Sequence, residues 1–454
     1  MMHDLHERMN GSRRGSAVVV VVWAISICAL IVSSLLVFSG RQSMLGVETV
    51  DDIRARWTAR AGVESTIAVL AYHTMEPDPD NALALTLDME DVAFGEIEDG
   101  GKWSISHNDL DGQSWPGPMD EHSKLNVNGD GRGYLAIIFS PMSWGVSPAI
   151  EDWIDEDDEP RDLGVEKDYY LSLDSRYEPR NSAMWHVAEM ELIAGLDPDD
   201  IRGEDWNLNN RLDPNENDGE GSMPNDEPDG VLDGGWAAYL TAMSTDGGAT
   251  ASGLPRIYYP LTSVEELTER LGIDADQAAT LMTMAGGDDF MLESLITTPL
   301  EGGNANESQQ SSNSTQDGQQ QPTVQPLQDW QIQAIFDETS TSPDHQPNIG
   351  KLNINTVSRR LLMDMYEGRE DLVESILSMR YNRAEGITGI MDLRELPEMT
   401  DDTLFELAMG FTARSNVYTI SSQAKSGSSD AECEIITVVD RSTVPVRILE
   451  YREE

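Results

Sequence analysis

Basic residues are scarce in this chain: 30 lysines and arginines stand against 82 aspartates and glutamates, for a formal net charge of −52 over 454 residues. A field of that sign repels phosphate backbones and leaves nucleic acid without a binding surface, while divalent cations suit it well. Cysteine is almost missing. Cys28 lies in an apolar run and Cys433 near the far end, in settings too different to pair, so no disulfide framework is expected. The seven histidines, among them His73, His107, His122, His186 and His345, are scattered and form no His-x-x-x-His pair. Neither a G-x-S-x-G elbow, a C-x-x-C pair nor a phosphate-binding glycine loop occurs, so an enzyme is not expected.

Long apolar runs are missing too, with one exception. Ser16 to Ser39 carries no formal charge over 24 residues, roughly 36 Å as a helix and enough to cross a bilayer with some tilt. Arg8, Arg13 and Arg14 precede it and strongly acidic chain follows. The excess of arginine on the short side puts the N-terminus in the cytoplasm and the rest outside. The run is longer than the apolar core of a secretory signal and lacks a small-x-small site at its end.

The leader ends in Gly15, and the apolar helix begins at once with Ser16. This arrangement resembles the class III leader of type IV pilins and pseudopilins. The resemblance implies a cut by a prepilin peptidase between Gly15 and Ser16, with methylation of the new terminus. Most members of that family carry glutamate at the fifth mature position; this chain has Val20. A lone carboxylate in hydrocarbon is costly unless paired with a neighbour's amine, and its loss is a hallmark of the large K-type minor pseudopilins of type II secretion. Beyond the membrane, Val50, Ile53, Trp57, Ala61, Ile67 and Leu70 recur at roughly helical spacing, and no proline interrupts before Pro77. One long amphipathic helix, half in lipid and half packed on a head, is expected. The stretch "ARAGVE" from Ala59 to Glu64 also resembles a K-type segment.

Two stretches echo each other, "SKLNVNGDG" from Ser123 and "GKLNINTVS" from Gly350. Both are similar to the segments that open the helical domain of K-type pseudopilins. Each leads to a pair of helical arms with an acidic turn, "GLDPDD" or "PEMTDD", in which Asp197 and Thr400 are the expected N-caps. Such hairpins are similar to helix-hairpin-helix units, but these turns carry no basic residues and serve as packing scaffolds. "TSVEELTERLGIDADQAATLMTM" reads as a short helical pair. Strand signals lie at both ends of the soluble part: a Gly-Gly hairpin in "GEIEDGGKWSISHND" and three strands from Asn416 onward.

The expected fold is therefore α+β: a long N-terminal transmembrane helix, an antiparallel pseudopilin sheet, and a large inserted helical domain of helix-hairpin-helix or SAM-like type. Its divisions are a leader (1–15), membrane helix (16–39), soluble helix (40–75), first part of the α/β head (76–122), inserted helical domain with calcium loops (123–300), disordered Gln/Ser-rich linker (301–328), second helical-hairpin region (329–415) and closing strands (416–454).

One stretch carries metal-binding chemistry. In "DWNLNNRLDPNE", Asp205, Asn207, Asn209, Asp213 and Glu216 stand at positions one, three, five, nine and twelve, with Arg211 offering its carbonyl at seven. This is the spacing by which an EF-hand-type loop wraps hard oxygens around Ca²⁺. Asn210 replaces the usual glycine at six and tolerates the left-handed conformation. A weaker loop follows, with Asn225, Glu227, Asp229 and Asp233 at one, three, five and nine, Gly230 at six and no closing carboxylate. Weaker still is Asn126, Asn128, Asp130. Calcium would act structurally, offsetting carboxylate repulsion in loops that have no disulfide.

The resemblance implies a non-enzymatic minor pseudopilin of the inner membrane, its bulk periplasmic. It would sit at the pseudopilus tip and help initiate assembly for protein export. Its implied partners are the other minor pseudopilins, the major pseudopilin, the inner-membrane assembly platform and the prepilin peptidase. A minor pilin of a type IV pilus or competence filament is the alternative, and an unprocessed, membrane-anchored calcium-dependent scaffold or adhesin is a third reading.

Overall fold

The computed structural model describes residues 4–98, 100–129, 146–247, 250–259, 262–287, 290–300, 324–341, 348–429 and 431–454, with side chains from Ala17 onward. The expected linker lies outside the described residues as far as 323, and Asp130 also falls outside them.

A single helix, Asp4–Met75, contains the apolar run and continues past it. Its apolar portion has a mean hydropathy of 2.7 in its best 18-residue window, none of it buried. From Asp51 onward one face is covered, and the covered residues are mostly small: Ala55, Thr58, Ala59 and Thr66 are fully buried, with Val63 and Leu70. The expected face holds only toward its end, where Leu70 is buried and Ile67 packs against the core. Val50, Ile53 and Trp57 are exposed. Close approach decides it: a Cβ on Gly62 would lie 2.5 Å from Ser422 Oγ and 2.7 Å from the Trp103 ring. A face of alanine, threonine and glycine brings the helix axis nearer the sheet than one of tryptophan and isoleucine allows.

The sheet has seven strands, all antiparallel, taken from the two flanks of the soluble chain. Phe94–Glu96, Lys102–Asn108, Val417–Lys425, Glu432–Asp440 and Arg447–Glu453 follow in that order, with Ser114–Pro116 on the second strand and Met119–Asp120 on the third. Successive side chains of the central strand point to opposite faces. On one face Tyr418, Ile420 and Ala424 join Ala59, Val63 and Leu70 in a core, and Ser422 Oγ donates to Ala59 O at 2.9 Å. On the other, Thr419 Oγ1 donates to Glu121 at 2.6 Å and Gln423 accepts from Arg211 at 2.9 Å.

Between the flanks lies a helical part with a core of its own, one cluster whose residues range from Leu125 to Ala413. Its helices are short and carry the local signals of their ends. Ser263 accepts the Glu266 amide at the start of Val264–Leu271, which Gly272 ends at φ 64. Asp274 and Gln277 form a capping box on Ala275–Ala285.

The two echoing segments adopt one local structure. Leu125–Asn126 pairs in parallel with Leu240–Thr241, and Leu352–Asn353 pairs in parallel with Phe411–Thr412. Asn126 Oδ1 accepts the Asn128 amide at 2.9 Å, as Asn353 Oδ1 accepts that of Asn355 at 2.9 Å. The acidic turns match as well, with Gly195 at φ 87 and Glu398 at φ 61 just before the caps Asp197 and Thr400. Asn126 and Asn128 spend their amides on backbone groups of the fold, Asn126 on Ser244 O at 2.8 Å and Asn128 on Met184 O at 3.0 Å.

Candidate functional site

The stretch Asp205 to Glu216 closes on itself as a tight loop. Both oxygens of Asp205 accept amides from across the turn, Asn209 N at 2.9 Å and Asn210 N at 3.0 Å. Asn207 Oδ1 accepts Asn209 N at 3.1 Å, and Asn209 Oδ1 accepts Arg211 N at 2.7 Å. The turn needs positive φ at Leu208 (54°) and at Asn210 (58°), the sixth position, where asparagine stands in for glycine. Pro214 then starts a short 3₁₀ turn, Pro214–Glu216, boxed by Asp213 and Glu216. Glu216 folds back and accepts Trp206 N at 3.0 Å and Asp213 N at 3.1 Å.

Burial dominates the electrostatics. Asp205 is 3% exposed and Glu216 1%. Loss of hydration pushes the Asp205 carboxyl up to about 6, against the pull of the Asn210 amide and Lys124. Glu216 is pushed up to about 8 by burial first and the Asp205 charge second. Lys124, from the first echoing segment, donates its Nζ to Asn210 Oδ1 at 2.7 Å.

The sheet supplies residues that local spacing could not reveal. Asn209 Nδ2 donates to Glu434 at 3.1 Å, Asn207 Nδ2 to Glu454 at 3.2 Å, and Arg452 Nη1 to Asn207 O at 2.5 Å. Glu434 itself accepts from Ser421 Oγ. Glu434 and Glu454 lie 225 and 247 residues from their partners, so only the antiparallel pairing of the closing strands brings them here.

By donor type the residues fit a hard divalent cation: carboxylates, amide oxygens and carbonyls, with one ammonium group at the edge. Convergence is partial. The Asn207 and Asn209 side chains turn their Nδ2 groups to Asp213 Oδ2, at 3.1 and 2.9 Å, and Glu216 spends both oxygens on backbone. Arg211 reaches outward to Gln423.

The second loop is looser. Asn225, Glu227, Asp229 and Asp233 are all exposed. Asp229 Oδ1 and Asp233 Oδ1 cap their own turns, accepting Val231 N at 2.8 Å and Gly235 N at 3.1 Å, and Gly230 sits at φ 81. The carboxylate nearest this loop's backbone is Glu204, which the sequence reading missed; it accepts Glu227 N at 2.6 Å and Asp233 N at 3.2 Å. Glu204, Glu227, Asp229 and Asp233 border a cavity of about 390 Å³ that also meets Asp205 and Arg360. Gly15 and Ser16 lie within the backbone of the long helix.

Residues 145–203 match the family model described as type II secretion system (T2SS), protein K. The type II secretion system protein K of Klebsiella pneumoniae is 24% identical over 208 residues, covering 42% of this chain and 60% of that protein. Over these residues the chain is similar to type II secretion system protein K. Protein K of Pectobacterium carotovorum subsp. carotovorum is 22% identical over 212 residues, covering 42% of this chain. The chain thus spans 60% and 61% of these two protein K relatives. The crystal structure of a GspK–GspI–GspJ complex from enterotoxigenic Escherichia coli aligns over 91% of this chain and 99% of that one, at 11% identity and a TM-score of 0.46.

Proposed function

We propose that this chain is a non-enzymatic minor pseudopilin of a type II secretion system, anchored in the inner membrane by residues 16–39 with its bulk periplasmic. The single observation that carries the reading is the combination of a protein K domain at residues 145–203 with a helix that runs from an unburied apolar half onto a sheet. A helix of this kind has one face committed to its own head and another left for neighbours. Val50, Ile53 and Trp57, exposed on that second face, suit the helices of other pseudopilins, minor and major, packed alongside. Prepilin peptidase would cut between Gly15 and Ser16, and the assembly platform would hold the chain before it enters the filament at the tip. The loop Asp205–Glu216 would take Ca²⁺ in a structural role, its charge replacing the protons that burial otherwise favours on Asp205 and Glu216.

The test is the N-terminal residue of the protein purified from its own membranes, read by intact-mass spectrometry. A chain beginning at Ser16, with or without a methyl group, supports the filament reading. One that begins at Met1, or beyond Ser39, replaces it with an anchored or secreted scaffold.

A further inference from the structure

Two arginines share one cavity where the long helix, the sheet and the helical part come together, and the acids around them are spent on other groups. In a chain of net charge −52 that is unexpected. Arg441 directly follows strand Glu432–Asp440 and is 5% exposed. Its Nε donates to Ser415 O at 3.1 Å, and its carbonyl accepts from Thr74 Oγ1 of the long helix at 3.1 Å. Its Nη1 has no partner. The carboxylates that act on it from a distance are those of Asp120 and Asp440. Asp120 Oδ2 accepts from Ser415 Oγ at 2.6 Å and from Thr356 Oγ1 at 2.5 Å. Asp440 Oδ2 accepts from Arg447 and Oδ1 from the Ser442 amide.

Arg414 precedes strand Val417–Lys425, and the pairing of Val417 with Asp440 brings the two arginines to one end of the central strands. Arg414 Nη2 lies 3.8 Å from Asp337 Oδ2, beyond hydrogen-bond reach, and its Nε has no partner. Burial pulls the Arg441 guanidinium below its ordinary value, and the Arg414 charge adds to that pull. A desolvated cation is costly to hold unless an opposite charge meets it.

The cavity that both arginines line is about 40 Å³, room for about three waters at roughly 10–15 Å³ each. Leu85 and Thr86 lie on its wall, in the first turn of helix Ala84–Asp91. That turn holds no acidic residue, and Leu83 gives it no side-chain cap. The Leu85 and Thr86 amides have no acceptor among the described residues. The partial positive charge of a helix start therefore adds to the two guanidiniums. His73 also borders the cavity but is occupied, its Nε2 2.7 Å from Asp88 Oδ2. The one carboxylate on the wall is that of exposed Asp78, whose Oδ1 accepts the Asp80 amide at 3.1 Å. Water can fill this space but brings no charge to it.

We propose that Arg414, Arg441 and the start of helix Ala84–Asp91 form a chloride site. The free donors are N–H groups, and a compact monovalent anion matches the volume. The ion would fix the junction at which the long helix, the short helix after it and the ends of the two central strands meet.

The full chain in non-ionic detergent is compared in sodium chloride and sodium gluconate at equal ionic strength, gluconate being too bulky for the cavity. Melting temperature and chloride NMR line broadening are read for the parent, Arg441→Met and Thr86→Glu. The proposal expects the parent to melt higher in chloride and to broaden the chloride line. Arg441→Met should lose both effects, and in gluconate it should melt no lower than the parent, because an unpaired buried cation has gone. Thr86→Glu sets a carboxylate at the helix start, where it takes the ion's place. This variant should melt above the parent in gluconate and gain nothing from chloride. A parent that melts alike in the two salts overturns the proposal, as does a folded Arg441→Met chain that still broadens the chloride line as the parent does. If Arg441→Met does not fold, Thr86→Glu decides, and an undiminished response to chloride overturns the site.

Discussion

Asn128 and Asn355 make the same bonds in two places. Asn128 accepts Met184 N at 2.7 Å and donates to Met184 O at 3.0 Å; Asn355 accepts Ile387 N and donates to Ile387 O, both at 2.9 Å. Each also reaches the strand across, at Ala242 O and Ala413 O. One asparagine per module clamps the chain at the entrance to a 3₁₀ turn and the helix after it. Replacing either with alanine takes the partner from one backbone donor and two acceptors, so each should cost about 1–3 kcal/mol. Urea unfolding followed by circular dichroism should give matching losses for the two variants. A loss at one site and none at the other would mean that the modules are alike in shape but not in energetics.

Gly62 and Gly46 lie on the same helix and should respond in opposite directions. Gly62→Val forces atoms into Ser422 and Trp103, and overpacking of this kind costs about 1–3 kcal/mol or more. Nothing lies within 4 Å of a Cβ on Gly46, so Gly46→Ala should stabilise the helix by roughly 0.5–1 kcal/mol. Thermal melts of the detergent-solubilised chain read both signs.

Stability without metal should fall as pH rises. Burial lifts Asp205 to about 6 and Glu216 to about 8, and Glu166 to about 7, all above the roughly 4 of an unfolded carboxyl. The folded chain therefore holds protons that the unfolded chain has released. That stabilisation is full below about pH 4 and is lost as pH rises through the folded values. In EGTA the melting temperature should drop between pH 5 and pH 8, and Glu216→Gln should shallow the slope. A melting temperature that rises across this window would show these carboxyls to be solvated.

Calcium should reverse that slope, because the ion takes the deprotonated ligands. At pH 7.5, saturating CaCl₂ is expected to raise the melting temperature, and Asp205→Asn to weaken binding at its loop by roughly 10–100-fold. Glu434→Gln tests the contact with the sheet. It keeps the size of the side chain and an oxygen for Asn209 and Ser421 but removes the negative charge, so the same titration should show weaker binding with the loop sequence untouched. Equal affinity in that variant would confine the site to the loop.

Much of this protein was legible along the chain because it rests on local rules. The uncharged run from Ser16 to Ser39 needs only hydropathy and charge. Asp197 and Thr400 cap helices as expected, because capping is decided by a side chain and an amide three residues away. The left-handed turn at Asn210 follows from the loop spacing in the same way. The closing strands read correctly from their alternating Val, Ile and Thr.

Only the tertiary structure decided which face of the long helix meets the sheet. Periodicity favoured Val50, Ile53 and Trp57 by hydrophobicity, whereas close packing selected Ala55, Ala59 and Gly62 by size, and size matters only once a partner surface exists. The same holds for the carboxylates. Asp152 and Glu166 are two acids among 82, and nothing in their spacing marks them; folding strips their water and leaves Glu166 without a partner. Glu434 reaches Asn209 from a strand 225 residues away. Charge, cap and turn are properties of a few adjacent residues, but burial and convergence belong to the packed chain as a whole.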